Sequence, residues 1–344
     1  MEIFERKPDP QKRLDDYANI IVEPFDWKAY NNSQAREKSL FLYLLSDLCK
    51  VLEDGTSYCG KGRKPMPSAH MIFCMGVKIY SGVGARRIDF DLKTSRDKGY
   101  INSVPACSSV WNYFNSRTIT HKLKYLVKLS ALPLSQLEEK GSFSIDSSGI
   151  AENKYLPRWS HVRQEYKKHR AYKKIHCIVG NKSNVVASVI VTDGNKADSP
   201  HFKQLLKDAI ENFDIKDICA DMGYLARENL DYADDLGITP YIPFKKNSKS
   251  HSHGARMWNK MYRYFKDNPE EYAKHYHKRS NVESTFFMIE QRFGKFVYSK
   301  NETAQMNEIL VKILAHNLTT LIQELFLSNI EIDFFSCAKR FPAQ

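Results

Sequence analysis

The chain has 344 residues, 42% of them hydrophobic, which is enough to bury a core and excludes wholesale disorder. A formal net charge of +12 and a pI near 9.2 favour a polyanionic partner, nucleic acid or an anionic membrane surface, although a basic enzyme with no such partner has the same balance. The seven cysteines are scattered without a Cys-x-x-Cys pair, so neither a zinc site nor a disulfide framework is indicated, and the best apolar run, residues 71–77, is far below the ~20 residues of a membrane span. Reduced thiols, no apolar signal core in the first ten residues and no membrane partner together make a cytoplasmic protein the expectation.

In chain order, residues 1 to about 140 read as helical. Leu40, Leu44, Leu45 and Leu48 recur at helical spacing in residues 34–52, behind Ser33 as an N-cap. Helices follow over 67–80 and 85–94, separated by Ser81-Gly82-Val83-Gly84, then one through Trp111 and Phe114 capped by Ser108 or Ser109, and one over 120–129 ended by Pro133. The stretch 82–114 could hold a helix-turn-helix that reads DNA; plain helical packing explains it equally.

After Gly141 the period changes from helical to alternating. Residues 143–146 read as a strand, and 175–180 and 185–192 as two strands of a hairpin. A helix over 200–212, a short buried strand over 217–220, a helix over 225–236 closed by Gly237 and a strand over 238–243 come next. Residues 245–274 are basic and irregular, and two helices, about 277–293 and 303–327, close the chain. Three antiparallel strands followed by strands alternating with helices give an α/β fold, a ribonuclease-H-like mixed sheet with flanking helices, preceded by an all-α N-terminal domain. The expected division is 1–140 helical and DNA-binding, 141–328 catalytic with a basic insertion at about 245–275, and 329–344 a tail.

Three acids stand out in this frame. Asp146 lies on the first strand and Asp221 at the carboxyl end of the fourth, where ligands gather in open α/β sheets. Glu283 lies on a helix whose stripe Val282, Phe286, Ile289 and Phe293 packs inward, so Glu283 stands at the rim of the buried face. Three converging carboxylates repel unless a cation sits among them, and such hard oxygen donors suit Mg²⁺, with Mn²⁺ an alternative. Two ions about 4 Å apart can activate a water or a DNA 3′-hydroxyl and stabilise the leaving oxygen. The bland alternative is that each acid is a solvated side chain or a turn cap.

The strings around these acids resemble a known family. Tyr276, Arg279 and Glu283, within His275-Tyr276-His277-Lys278-Arg279-Ser280-Asn281-Val282-Glu283, match in type and spacing the Tyr-Arg-Glu-Lys signature of one branch of insertion-sequence DDE transposases. Ile145-Asp146-Ser147-Ser148-Gly149 and Ala220-Asp221-Met222-Gly223-Tyr224 resemble that family's first-acid and second-acid strands. Lys174-Ile175-His176 and Asp198-Ser199-Pro200 fall where the family has a Lys-x-His strand and an Asp before the first helix. The resemblance covers about residues 140–325. It implies a ribonuclease-H-like catalytic domain that uses Mg²⁺ to cut transposon DNA ends and transfer them into target DNA, with terminal inverted repeats as double-stranded partners and a homodimer or higher multimer as the synaptic complex. Asp146, Asp221 and Glu283 would hold the metal, and Tyr276 and Arg279 the phosphate backbone. Where the signature has Lys, this chain has Glu290. Arg292 or Lys295 would then take the phosphate contact, or Glu290 is a metal ligand or a bystander. A catalytically silent DNA-binding descendant and a stand-alone nuclease are the alternatives.

Two basic tracts complete the reading. Residues 154–174 carry eight Lys and Arg, among them Lys167, Lys168, Arg170 and Lys174, against Glu165 alone, with Trp159, Tyr166 and Tyr172 interleaved. Such a mixture tracks a DNA backbone and stacks on bases, or it is a solvated loop. Residues 245–279 carry ten basic and three acidic residues, and Trp258 there either contacts a flipped base or belongs to the core of the insertion.

Overall fold

The computed structural model describes residues 25–52, 61, 64–84, 86–152, 172–250 and 256–340. Helix α1 (Trp27–Lys50) starts about two turns earlier than the leucine spacing alone suggests, because the Asp26 carboxylate caps it by accepting from Ala29 N at 2.9 Å. Ser33, read from sequence as the cap, lies inside α1 and donates to the Tyr30 carbonyl instead. Then come α2 (Ser68–Ser81), ended by Gly82 at φ +63°, α3 (Asp89–Asp97), α4 (Cys107–Phe114) and α5 (Arg117–Ala131).

The sheet is built from β1 (Gly141–Ala151), β2 (Tyr172–Gly180), β3 (Val186–Asp193), β4 (Ile215–Ala220) and β5 (Thr239–Tyr241), in the order β3-β2-β1-β4-β5. The β1–β2 and β2–β3 pairs are antiparallel; β1–β4 and β4–β5 are parallel. This is the ribonuclease-H-like mixed sheet, and helices flank it: α6 (Phe202–Ile210), α7 (Arg227–Asp235), α10 (Ser280–Phe293) and α11 (Glu302–Leu327). The β2–β3 turn is anchored from below by buried Glu138, whose Oε1 accepts from Lys182 N, Ser183 N and Ser183 Oγ. A Cβ on Gly180 would stand 2.5 Å from that same oxygen, so only glycine fits there.

The tract over 245–274 is more regular than its charge suggests. It forms α8 (Arg256–Asp267) and α9 (Pro269–Tyr276). Met257 and Met261, one turn apart, are buried beneath the charged face, and Tyr272 Oη donates to the Ile242 carbonyl at 2.8 Å. The single helix expected over 277–293 is likewise divided: a 3-10 turn, His277–Arg279, joins α9 to α10. A short helix, α12 (Phe334–Arg340), follows α11.

One apolar cluster runs through the molecule, from Leu45, Leu48 and Phe73 in the first helices through Leu123 and Leu126 to Ile145, Ile178 and Leu314. Helix α11 is its spine. It is long and apolar enough to cross a membrane by length and composition, but 78% of that stretch is buried within the protein. Several of its buried polar residues bond to neighbouring elements. Buried Asn317 accepts from Val186 N at 3.0 Å and donates to Val186 O at 3.1 Å, so its amide completes the edge of β3 as a strand would.

Candidate active site

The sheet register places the first two acids. Ile145 on β1 pairs with Ala220 on parallel β4, so Asp146 and Asp221 are the next residues along two adjacent strands. At equal height in a parallel pair they share a face, one strand spacing apart, about 4.8 Å. Asp221 begins the loop and is exposed; Asp146 is still within β1, with 17% of its side chain exposed.

Glu283 is brought to them by α10, which is tied to β1 at both ends. Just before α10, Ser144 Oγ on β1 donates to the Lys278 carbonyl at 3.1 Å, and in its first turn Asn281 Nδ2 donates to the Asn181 carbonyl of the β2–β3 turn at 2.6 Å. After α10, Ala151 N donates to Lys295 O, and Val297 N donates to Ala151 O at 2.9 Å. Residues 144 to 151 are thus spanned by α10, with Val282, Phe286, Ile289 and Phe293 buried against the sheet. Glu283, in the first turn, lies on the other side of that stripe with 58% of its side chain exposed.

Arg279 joins two of the acids. Its Nη1 donates to Asp146 Oδ2, and its Nη2 donates to Glu283 Oε1 at 2.6 Å. The other Asp146 oxygen, Oδ1, accepts from Ser147 N at 2.7 Å. Burial pushes the Asp146 carboxyl above its ordinary value; the Ser147 N–H and Arg279 pull it down, and the charges of Asp221 and Glu283 push it up again. Burial likewise raises the Tyr276 phenol, whose ring lies 5.8 Å from the Arg279 guanidinium.

Further bonds hold the loop after Asp221. Asp198 Oδ1 is 2.7 Å from Lys174 Nζ and 3.2 Å from His176 Nδ1. His176 is fully buried, its other nitrogen 3.0 Å from Thr192 Oγ1, and burial beside His201 lowers its pKa to about 4, so it is neutral. A Cβ on Gly223 would stand 3.3 Å from Asp198 Oδ2 and 3.8 Å from Asp221 Oδ2, so the two carboxylates face each other across a residue with no side chain. Buried Asn229 clamps the two turns together: its Nδ2 donates to Ser199 O, Ser199 Oγ and Tyr224 O at 3.1, 3.1 and 2.9 Å.

Among the described residues no three of His, Cys, Asp and Glu are already gathered as a metal site. The donor chemistry nevertheless fits a hard divalent cation. Asp146, Asp221 and Glu283 offer only carboxylate oxygens, and the negative charge they concentrate is at present met by the guanidinium of Arg279.

A family model described as the transposase DDE domain matches residues 139–318, more than half of the chain. The chain belongs to that family. DDE transposases are nucleotidyl-transfer enzymes that generally use divalent metal ions. No curated protein matches this transposase. Among solved structures, a chain from the cryo-EM structure of the simian T-cell lymphotropic virus intasome in complex with PP2A regulatory subunit B56 gamma matches at 15% identity, covering 68% of this chain and 72% of that one, with a TM-score of 0.24. The Drosophila P element transposase strand transfer complex matches at 12% identity, covering 82% and 71%, with a TM-score of 0.28. Scores this low bear on no residue of the site.

The remaining residues singled out in the transposase sequence are dispersed. Lys174 is bound to Asp198. Arg292, at the far end of α10, pairs with buried Glu37 of α1, which also accepts from Tyr80 Oη at 2.7 Å. Lys295 is 64% exposed and 4.0 Å from Glu290. Trp258 donates its indole N–H to the Lys249 carbonyl at 2.9 Å and packs edge-on against Phe244. Lys167, Lys168 and Arg170 lie outside the described residues. Nothing in the sequence marks Asn229, because an Asn in an amphipathic helix carries no local signal; its Ser199 partner is 30 residues away.

Proposed function

We propose that this transposase cleaves DNA at transposon ends and joins the freed strands to target DNA, with Asp146, Asp221 and Glu283 as the residues that hold Mg²⁺ or Mn²⁺. Two observations support this reading: β1 and β4 run in register up to Asp146 and Asp221, and α10 is linked to β1 through the bonds of Arg279 to Asp146 and Glu283.

When bound, such ions supply Lewis-acid stabilisation of the phosphate and lower the pKa of an attacking hydroxyl. The chain's own residues do the rest by positioning, with no covalent protein intermediate. The buried sheet fixes Asp146, and the Asn229 clamp fixes the turn after Asp221. The forked guanidinium of Arg279 matches two phosphate oxygens, and the Tyr276 ring supports it. The basic tracts read in the sequence at 154–174 and 245–279 supply backbone affinity for double-stranded DNA, so binding weakens with a log-log salt slope of about −0.9 per phosphate neutralised. Synapsis of two transposon ends calls for a homodimer or higher multimer.

Glu290 replaces the signature Lys, and Lys295 Nζ stands 4.0 Å from its carboxylate, a neighbouring cation that favours the active reading over a silent descendant. The experiment is to incubate the protein with DNA bearing the inverted repeats that flank its gene, in Mg²⁺ and in chelator. Cleaved and joined products in Mg²⁺ alone are expected. Cleavage without joining would favour a stand-alone nuclease, and activity only in Glu290→Lys would favour a silent descendant.

A further inference from the structure

The link between Asp146 and Glu283 is itself a cation. Two different nitrogens of Arg279 reach two different carboxylates, one on β1 and one on α10. The guanidinium is largely covered, with 20% of its side chain exposed, whereas Glu283 is 58% exposed and free to swing. Arg279 belongs to the 3-10 turn between α9 and α10, one turn before Glu283. Its side chain therefore stays beside the triad whichever partner it holds.

We infer that Arg279 is an exchangeable occupant of the triad, holding Asp146 and Glu283 together until a divalent ion takes those oxygens and a DNA phosphate takes the guanidinium. This rests on the reading of Asp146, Asp221 and Glu283 as metal ligands. A divalent ion held by Asp146 and Glu283 would compete with the guanidinium for the same negative charge, because two cations at one pair of carboxylates repel each other. Binding the ion frees a forked donor whose best alternative acceptor is a phosphate. The converse holds by linkage: a phosphate that captures Arg279 unmasks the carboxylates and tightens metal binding by the same factor. Metal loading and DNA engagement become mutually reinforcing, and the unpartnered protein is kept from binding metal tightly.

The test reads metal affinity without turnover, by titrating Mn²⁺ against the full chain and following free Mn²⁺ by electron paramagnetic resonance, with and without a short DNA duplex. Without DNA, Arg279→Gln should bind Mn²⁺ about 5- to 100-fold more tightly than the wild type, within the usual range of coupling between sites. With the duplex, the two proteins should converge. Lys278→Gln, which removes an adjacent positive charge that makes no bond to the triad, should leave Mn²⁺ affinity close to wild type. Arg279→Lys keeps the charge without the fork and should fall between wild type and Arg279→Gln, which guards against a folding defect in the Gln variant. Equal affinity of wild type and Arg279→Gln without DNA, or a gap that the duplex leaves unchanged, would overturn the exchange. If Asp146→Asn binds Mn²⁺ as the wild type does, the metal reading itself fails, and the exchange with it.

Discussion

At the scale of single residues, buried polar side chains hold the site in shape. Asn229 presents two N–H donors to three acceptors on two turns, and one of those turns carries Asp221. Asn229→Asp would set a carboxylate against carbonyl oxygens, and unsatisfied buried groups each cost about 1–3 kcal/mol. The expected outcome is a loss of at least about 2 kcal/mol in urea denaturation. His316 gives a pH dependence. It is fully buried, and its Nε2 must carry the proton because its partner at 2.9 Å is the Asn184 carbonyl. Burial lowers its pKa from 6.5 to about 4. The unfolded state therefore binds the proton first: the His316 contribution is whole above pH 6.5 and is lost as pH falls through that window toward 4. Denaturation followed from pH 7 to pH 4 should show a smaller loss in His316→Gln than in the wild type, by about 2–3 kcal/mol at most. Asp146 and Asp221 were legible in the sequence because each ends a short apolar run of extended period. Asn229 and His316 were not, because their partners come from elsewhere in the chain.

At the scale of elements, α10 connects the site to the first helices. Its first turn carries Glu283 and its last carries Arg292, bound to Glu37 of α1. Without Arg292, buried Glu37 would keep, among the described residues, only the Tyr80 hydroxyl as a partner, and the pair is partly solvated through Arg292, so Arg292→Ala should cost about 1–3 kcal/mol in a denaturant melt. An unchanged melt would show that the pair does not anchor α10. This contact, between residues 255 apart, could not be read from local pattern. The succession of strands and helices along the chain could, because alternation and a hairpin turn are local signals. Helices α8 and α9 were hidden for a different reason. The spacing of Met257 and Met261 was present, but ten basic residues across 245–279 masked an apolar face.

At the scale of the whole molecule, the helices before β1 and the helices after β5 share one core. Helix α11 packs against both the sheet and the first helices, and Asn307 Nδ2 donates to Phe114 O at 2.7 Å and Ser116 O at 3.0 Å. A fragment beginning near residue 136 would expose the α11 surface that meets Leu45, Leu48 and Leu126. It should be insoluble or melt without a cooperative transition in calorimetry, whereas a sharp transition would show that the catalytic half folds alone. The DNA-binding role expected of residues 1–140 is therefore better probed with exposed-residue substitutions than with truncation. The central claim, that Asp146, Asp221 and Glu283 together perform metal-dependent strand cleavage, is tested most directly by changing each of them to Ala. The measurement is cleavage and joining of inverted-repeat DNA in Mg²⁺, with DNA binding assayed in parallel. Each variant should bind DNA close to the wild-type level and yield no cleaved or joined product; normal cleavage by any one of the three would contradict the claim for that residue.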